Sequence, residues 1–355
     1  MLTFFSKINW PIFLSGLLLV SVGILVIYSS SRELAFQQLI FTIIGMIFFL
    51  FISQIDLFAI RNVIKPLYFL TIFLLITVLI LGIETRGAIR WIPLGFFNIQ
   101  PSEFAKPVLI LMLALFWSNN KVGWSNIFKS LILILPFVLL IFRQPDLGTS
   151  LTAIATGIGI LFAAQISIKK MIFLIIIAIL VVPGSYVFLR EYQKERIIGF
   201  LTPGADPLGR GYNVIQSTIA VGSGQLLGRG LGRGTQSRLQ FLPEFRTDFI
   251  YASIAEELGF FGSLIIIAIY LYLLGYFLRV ATLVRDNFSF LVIIGVFSMM
   301  LFQIFINIGM NVGIVPITGI TLPLISYGGS SLIATFICLG LVASVAKDRR
   351  RIDID

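Results

Sequence analysis

The chain has 355 residues, of which 58% are hydrophobic and 12% are charged, and its formal net charge is +10. A soluble domain carries about twice that charged fraction. The chain has no histidine and one cysteine, which excludes imidazole catalysis, histidine-ligated metals and an intrachain disulfide. Because an aqueous core could not hide so much apolar surface, the composition predicts an integral membrane protein.

Apolar runs of roughly 17–25 residues, the length of a membrane-spanning helix, recur along the chain. They predict ten helices, at 9–29, 36–54, 66–83, 101–118, 127–142, 147–164, 169–189, 249–278, 288–310 and 329–346. The predicted fold class is an all-α polytopic membrane protein of about ten transmembrane helices, forming a single domain over residues 1–355. A large extracytoplasmic loop, about residues 190–248, separates helices 7 and 8. The first run is too long for a signal peptide and lacks a small-residue cleavage site, so we expect it to be retained.

Basic residues in the short connections fall mainly on one side of the predicted membrane. That side collects Lys7, Arg61, Lys65, Lys121, Lys129, Lys169, Lys170, Arg279, Arg285, Lys347, Arg349, Arg350 and Arg351. The other side holds Arg32, Arg86, Arg90 and Arg143. By the positive-inside rule, the first side and both termini are cytoplasmic. The basic charge is therefore a signal of topology, and nucleic acid is not an expected partner.

Four segments combine polar, glycine and proline residues in a way unlike ordinary spans or turns. They are residues 86–106, 143–150, 209–249 and 311–331. The predicted topology places all four on the extracytoplasmic face, although this placement was not used to choose them. We therefore expect them to form one site at that face.

The first segment carries charge into a predicted span. Glu103 and Lys106 are three residues apart on one helical face, and burying either charge alone costs roughly 2.5–3.5 kcal/mol on insertion scales. They either neutralise each other or line a cavity. The N-terminal end of this helix offers free N–H groups to an anion. Arg90 and Trp91 precede it, either as a membrane-interface anchor or as part of the site.

The other segments have both structural and functional interpretations. Asp146, followed by Leu-Gly-Thr-Ser, is expected to cap a helix. In residues 209–249, glycines alternate with arginines such as Arg210, and such a backbone can cradle phosphates, although disordered linkers share this composition. In residues 311–331, Pro316, Pro323 and a glycine pair break the chain before a span, and broken helix at that depth lines a cavity or packs in protein.

Asp248 lies where the long loop becomes a helix, close to Glu244 and Arg246. It is either a helix cap or partner of Arg246, or a carboxylate at the water–lipid boundary whose pKa is held by arginine, available as a general base. Eight residues further on, Glu256 falls on the same helical side, which would extend a cavity inward. Glu257 points elsewhere and is expected to be structural.

These residues closely resemble the SEDS family (shape, elongation, division and sporulation), the group that contains RodA and FtsW. The match runs through "RGAIRWIPLG", "IQPSEFAK", "QPDLGTS", "GYNVIQSTIAVGSGQLLGRGLGRGTQS", "FLPEFRTDFIYASIAEELG" and "LPLISYGGSS". The motifs occur in the family's order and cover nearly the whole chain. The wording "GTQSRLQFLPE" looks more like RodA than FtsW. Where many relatives have a histidine two residues before the aspartate, this chain has Arg246, which makes a histidine role there non-essential.

The resemblance implies a peptidoglycan glycosyltransferase that polymerises lipid II on the outer face of the bacterial cytoplasmic membrane, in elongation or division. Its expected partners are lipid II, the lipid-linked nascent glycan, membrane lipid and a class B penicillin-binding protein. Asp248 falls on the family's catalytic aspartate. We expect it to take a proton from the acceptor sugar 4-hydroxyl, which attacks the anomeric carbon of the growing chain with inversion and expels the lipid pyrophosphate. The candidate substrate-binding residues are Arg90, Trp91, Gln100, Ser102, Glu103, Lys106, Arg210, Glu244 and Arg246.

Two other functions suit a polytopic chain: a lipid II flippase and a scaffold that only recruits the penicillin-binding protein. The gathering of polar residues at one face, and hydropathy without an inverted repeat, argue against transport. Scaffolding leaves Glu103 and Lys106 unexplained. The sequence shows no nucleotide-binding or metal-ligand motif, so no cofactor or metal site is expected, although a divalent cation could share the phosphate charge.

Overall fold

A computed structural model describes residues 8–85, 88–93, 98–185, 187, 189 and 191–352. Lys7, Arg86 and the first residue of the predicted loop, residue 190, lie outside the described residues. In chain order the helices are α1 (Trp10–Ser30), α2 (Arg32–Ile52), α3 (Leu57–Leu81), α4 (Pro101–Asn119), α5 (Trp124–Arg143), α6 (Leu147–Ala163), α7 (Ile168–Ser185), α8 (Glu191–Leu201), α9 (Tyr212–Ser223), α10 (Thr235–Arg238), α11 (Ile250–Ala281), α12 (Asn287–Asn311) and α13 (Gly329–Ile352).

Long apolar helices dominate the fold, as the composition predicts. Within the described residues, eight of them are long and apolar enough to cross a membrane, namely α1 to α5 and α11 to α13. The helices α6 and α7 lie at the two remaining predicted positions, and α6 is apolar but shorter. The polytopic helical fold class is thus confirmed, whereas the count of ten spans stays a prediction. Helix α3 begins at Leu57 rather than at residue 66, because Pro66 lies inside the helix and does not end it.

Three short strands, which the all-α prediction did not include, connect α3 to α4. They are β1 (Ile83–Thr85), β2 (Ala88–Pro93) and β3 (Asn98–Ile99), in antiparallel order β1-β2-β3. Trp91 pairs with Ile83 on β1, so the small sheet fixes the main chain around Arg90 and Trp91.

Helix α11 is broken at Gly259, whose φ of 69° and ψ of −165° are conformations that glycine adopts freely. The main chain of residues 225–230 lies against this break. The four hydrogen bonds run from Arg229 N to Glu256 O (2.9 Å), Gly230 N to Glu257 O (3.0 Å), Phe260 N to Gln225 O (2.9 Å) and Phe261 N to Leu226 O (3.2 Å). The long loop is therefore attached to a membrane-spanning helix by main-chain bonds.

Two glycines of the third polar segment, residues 209–249, allow the main chain of the long loop to lie close to that of α11. A Cβ atom on Gly224 would collide with the carbonyl oxygen of Ala255, and one on Gly228 would collide with that of Glu257. These two glycines are explained by backbone packing rather than by phosphate binding.

Glu256 lies at the same contact between the long loop and α11. It does not extend a cavity inward, although the sequence suggested that it would. It is fully buried, and its carboxylate binds the N-terminal end of α10. Oε1 accepts from Gln236 N at 2.9 Å and from Thr235 Oγ1 at 3.1 Å, while Oε2 accepts from Ser237 N at 3.2 Å and from Ser237 Oγ at 3.1 Å. The unpaired N–H groups of the helix start are satisfied in this way.

The opposite end of the bundle carries its own polar contacts. Asp286 caps α12, accepting from Ser289 N at 2.9 Å, and forms an ion pair with Arg61 at 3.0 Å. Nearby along the same end, Lys347 donates to Gln54 Oε1 at 2.8 Å. Arg61 and Lys347 belong to the side on which the sequence collects most of its basic residues.

Candidate active site

The four polar segments meet at one end of the helix bundle. The first segment contacts the second and the fourth, the third contacts the fourth, and α9 of the third contacts the end of α12. The joining bonds are Gln100 Nε2 to Asp146 Oδ2 (3.1 Å), Gln100 N to Ser330 Oγ (3.0 Å), Tyr327 N to Arg246 O (2.9 Å) and Ser217 Oγ to Asn311 O (2.8 Å). The fold therefore brings the four segments together at one end of the bundle.

Arg90 is held by the turn between α5 and α6. Its Nε donates to Gln144 O at 3.1 Å, Nη2 bonds to Pro145 O, and Nη1 lies 3.9 Å from Asp146 Oδ2. The side chain of Arg90 remains partly exposed, whereas that of Asp146 is buried. Arg90 thus presents a fixed, accessible cation at the site.

Asp146 also has the capping role that the sequence predicted. Its Oδ1 accepts from Thr149 N at 3.1 Å in the first turn of α6. The Gln100 amide that reaches Asp146 also donates to Ser102 Oγ at 3.1 Å, and Ser102 is fully buried at the start of α4. Gln100 and Ser102 therefore join α4 to the turn that carries Arg90.

Asp248 lies in the turn before α11, and the residue is partly exposed. Gly319, from the fourth polar segment, lies against it with a φ of 76°. A Cβ atom there would stand 3.5 Å from Asp248 Oδ2 and 3.4 Å from Arg196 Nη1. The Asp248 carboxylate and the Arg196 guanidinium therefore both lie next to Gly319.

Desolvation by the surrounding protein raises the pKa of Asp248 from its usual 3.8 to about 6. The charges of Arg196 and, more weakly, Arg90 lower this pKa, while those of Glu244 and Asp146 raise it. A carboxylate with this pKa is ionised at neutral pH and is a stronger base than an ordinary aspartate, as a general base requires.

Two buried asparagines on α12 hold the main chain of Asp248. Asn307 Nδ2 donates to Asp248 O at 2.9 Å and to Ile320 O at 2.7 Å. Asn311 Nδ2 donates to Asp248 O at 3.0 Å, and its Oδ1 accepts from Ala252 N at 3.0 Å, in the first turn of α11. Because Phe249 gives α11 no side-chain cap, Asn311 supplies it from another helix.

Arg246 and Glu244 flank Asp248 but make contacts of their own. Arg246 Nε donates to Ser30 Oγ at 2.8 Å, at the end of α1, and its guanidinium lies 4.5 Å from the ring centre of Phe245. Glu244 Oε2 accepts from Thr247 Oγ1 at 3.1 Å. The arginine that most influences the Asp248 carboxylate is thus Arg196 rather than Arg246. Next to this contact, Glu257 Oε1 accepts from Ser29 Oγ at 2.8 Å, which fits its expected structural role.

Glu103 and Lys106 form a buried pair in α4, with Nζ 2.5 Å from Oε2 and side chains 7% and 5% exposed. This geometry favours the neutralising interpretation of the two. Arg210 is half exposed, with Nε 3.8 Å from Glu195 Oε1. Of the four predicted substrate-binding cations, only Arg90 is among the charges that shift the pKa of Asp248, and Lys106, Arg210 and Arg246 are not.

Sequence reasoning missed Arg196, Asn307 and Asn311. Arg196 lies in no recognisable motif, and only the fold brings it to Gly319. The asparagines had a signal: two amides four residues apart in an apolar span are costly unless they are bonded to each other or to the backbone. Among the described residues, no group of three or more Asp, Glu or Cys side chains could hold a metal ion.

Known proteins have similar sequences and a similar fold. The profile of the FtsW/RodA/SpoVE family, described as "Cell cycle protein", matches residues 9–351. Stage V sporulation protein E of Bacillus subtilis (strain 168) is 38% identical over 351 residues, 94% of this chain and 95% of that protein. Peptidoglycan glycosyltransferase MrdB of Escherichia coli (strain K12) is 41% identical over 287 residues, 80% of this chain and 78% of that protein.

A solved structure extends the similarity to the fold. A chain of the work titled "Structural coordination of polymerization and crosslinking by a peptidoglycan synthase complex" has a TM-score of 0.84 and 32% identity, covering 96% of this chain and 98% of that chain. Fold and site together define a multi-pass membrane protein with a polar site at one end of its helix bundle. The chain belongs to the FtsW/RodA/SpoVE family, which confirms the SEDS resemblance. The identities to its relatives differ too little to separate the branches, so the RodA-like assignment stays a prediction.

Proposed function

We propose that this chain is a peptidoglycan glycosyltransferase that joins lipid II units into glycan strands at the extracytoplasmic face of the bacterial cytoplasmic membrane. The observation that carries the proposal is Asp248, a carboxylate with a pKa of about 6 that lies beside two arginines and is partly open to solvent. The name of the Escherichia coli relative, peptidoglycan glycosyltransferase, supports the same activity.

Asp248 acts as the general base. It takes the proton of the acceptor sugar 4-hydroxyl, and the oxygen forms a bond to the anomeric carbon of the growing chain as the bond to the lipid pyrophosphate breaks. The anomeric centre is inverted, the proton remains on Asp248, and the leaving pyrophosphate carries the electron pair. A positioned base of this kind contributes typically 10²–10⁴-fold to a rate.

Arg196 and Arg90 neutralise the phosphate charge. Both influence the Asp248 carboxylate, and the Arg90 guanidinium is oriented by the main chain of residues 144–145. Cations placed where negative charge develops stabilise a transition state strongly in a water-poor site. Lys106 would have to leave Glu103 to bind a phosphate, so the buried pair supports the two arginines as the first candidates.

The partner and the orientation belong to the same proposal. A class B penicillin-binding protein cross-links the glycan that this chain makes, and a structural relative from a complex that coordinates polymerisation and crosslinking supports this pairing. The end of the bundle that carries Arg61 and Lys347 is cytoplasmic, together with both termini, because basic residues of the short connections concentrate there.

The test is polymerisation of labelled lipid II by the purified chain together with its partner. Asp248→Asn should abolish glycan strands while folding and partner binding remain intact. The matched control is Asp56→Asn, which changes an exposed aspartate that caps α3 at the opposite end of the bundle and should leave polymerisation unchanged. Equal polymer from wild type and Asp248→Asn would overturn the proposal, and polymer from neither protein would favour transport or scaffolding.

A further inference from the structure

Three leucines of the long loop have exposed side chains. Leu226, Leu227 and Leu231 are 62%, 81% and 51% exposed. They belong to residues 225–231, which we call the leucine loop. Large apolar side chains that are exposed together mark a surface that contacts something apolar.

The leucine loop lies at a defined position along α11. Phe261 N donates to Leu226 O and Phe260 N to Gln225 O, so the loop is level with the first residues after the break at Gly259. Phe260 and Phe261 are themselves exposed, as are the next residues on the outer face of this spanning helix, Leu264 and Ile265. The leucines therefore continue an apolar surface that already faces lipid.

Helix length places the break at the edge of the hydrocarbon. Residues 260–281 follow the break and span roughly 33 Å at 1.5 Å per residue. The hydrocarbon core is about 30 Å thick, so this part of α11 crosses it alone. Arg279 lies near its far end, where a basic residue reaches the headgroups. The leucine loop is then at the opposite boundary, where acyl chains meet headgroups.

Arginines occur beside the leucines in the positions that an interfacial segment needs. Arg229, Arg233 and Arg238 are all exposed. The Arg229 guanidinium is also braced by Thr235 Oγ1 at 3.0 Å, which holds it near the leucine loop. Apolar residues in the acyl region with arginines at the phosphates are the usual composition of segments that lie in a membrane interface.

We propose that the leucine loop is inserted into the lipid leaflet on the active-site side, with its leucines among the acyl chains and Arg229, Arg233 and Arg238 at the headgroup phosphates. Continuity with the lipid-facing surface of α11 identifies the occupant as lipid rather than protein. Through the bonds of Glu256 to α10, the insertion also fixes the segment that leads to Asp248 at a set height above the bilayer.

Depth measurement by spin labelling tests this proposal without using activity. Cys338 is the single cysteine and is fully buried, so an introduced surface cysteine can be labelled selectively. The variants are Leu227→Cys and Leu231→Cys, with Phe261→Cys as the lipid-facing reference. Lys121→Cys is the aqueous reference, because Lys121 is an exposed charged residue in the short connection between α4 and α5. Each variant is reconstituted in vesicles of anionic phospholipid, and relaxation by oxygen is compared with relaxation by a water-soluble nickel complex.

We expect the labels at 227 and 231 to be relaxed preferentially by oxygen, as at 261, whereas the label at 121 should be relaxed by nickel. Nickel-dominated relaxation at both 227 and 231 would overturn the proposal. Nickel access that disappears only when a penicillin-binding protein is added, without any gain in oxygen access, would also overturn it and assign the surface to a protein partner.

Discussion

Asn307 on α12 donates a hydrogen bond of 2.9 Å from its side-chain amide to the main-chain oxygen of Asp248. The same amide binds Ile320 O, beside the Gly319 that faces the Asp248 carboxylate. A buried side chain in one spanning helix thus sets the position of the proposed base relative to the segment opposite it.

Asn307→Leu should lower kcat about 10-fold, equivalent to about 1.4 kcal/mol of transition-state stabilisation, with little change in KM. The reason is that the substitution removes one of the two side-chain hydrogen bonds to the main chain of Asp248 without removing a group that touches the substrate. Steady-state polymerisation of lipid II measures it. The control is Gln303→Leu, which removes another buried amide one turn earlier on α12. An equal loss of kcat in both variants would show a general packing effect instead.

The rate should depend on pH through Asp248. A general base works only when ionised, and the raised pKa of this group is about 6. We therefore expect kcat/KM to fall as the pH is lowered through about 6, whereas an ordinary aspartate would produce that fall near pH 4. A profile that stays flat between pH 7 and pH 5 would contradict the assignment of Asp248 as the base.

Removing Arg196 should shift the fall of kcat/KM at acidic pH to a higher pH. Its positive charge lowers the pKa of Asp248, so Arg196→Leu leaves desolvation less opposed and the carboxylate holds its proton to higher pH. The pH profile of polymerisation is the measurement. Lys194→Met, which removes a cation from the same helix α8, should leave the pH of this fall unchanged. If the fall of kcat/KM moved to lower pH in Arg196→Leu, the result would contradict the influence of the Arg196 charge on the pKa of Asp248.

Removing one partner of the Glu103–Lys106 pair should destabilise the protein more than replacing both partners. Lys106→Met leaves the buried Glu103 carboxylate unpaired, and breaking such a pair typically costs about 3–5 kcal/mol. The double variant Glu103→Gln, Lys106→Met should recover most of this loss in thermal unfolding of the detergent-solubilised protein. A double variant that folds well but fails to polymerise lipid II would support a substrate role for Lys106, and one as unstable as the single variant would refute the pairing argument.

Glu256→Gln should loosen the long loop. The carboxylate accepts four hydrogen bonds from residues 235–237, and an amide turns one acceptor into a donor that faces other donors, at a cost of about 1–3 kcal/mol. Hydrogen exchange should therefore rise at the amides of residues 224–238. The exposed Glu191→Gln is the control and should leave this exchange unchanged.

Residue patterns were sufficient for the helices because each spanning helix needs a long apolar run in its own sequence. The same reasoning placed Asp146 at a helix start and Asp248 at the loop–helix junction. It could not find β1 to β3, since strands of two to six residues are specified by their pairing partners. The break at Gly259 is also invisible locally, because its cause is the main chain of residues 225–230.

Charge partners were the least predictable part of the site. Arg246 is two residues from Asp248 in sequence, yet it bonds to Ser30 at the end of α1. Arg196 comes from α8, and the fold places it and the aspartate next to the same residue, Gly319. Proximity along the chain was therefore a poor guide where three distant segments fold together.

Helix α12 has one end fastened to Arg61 through Asp286 and the other fastened to Asp248 through Asn307 and Asn311. Its 25 residues make a stiff rod of roughly 37 Å. One continuous helix thus connects the Arg61–Asp286 ion pair at one surface of the membrane with the main chain of the proposed base at the other.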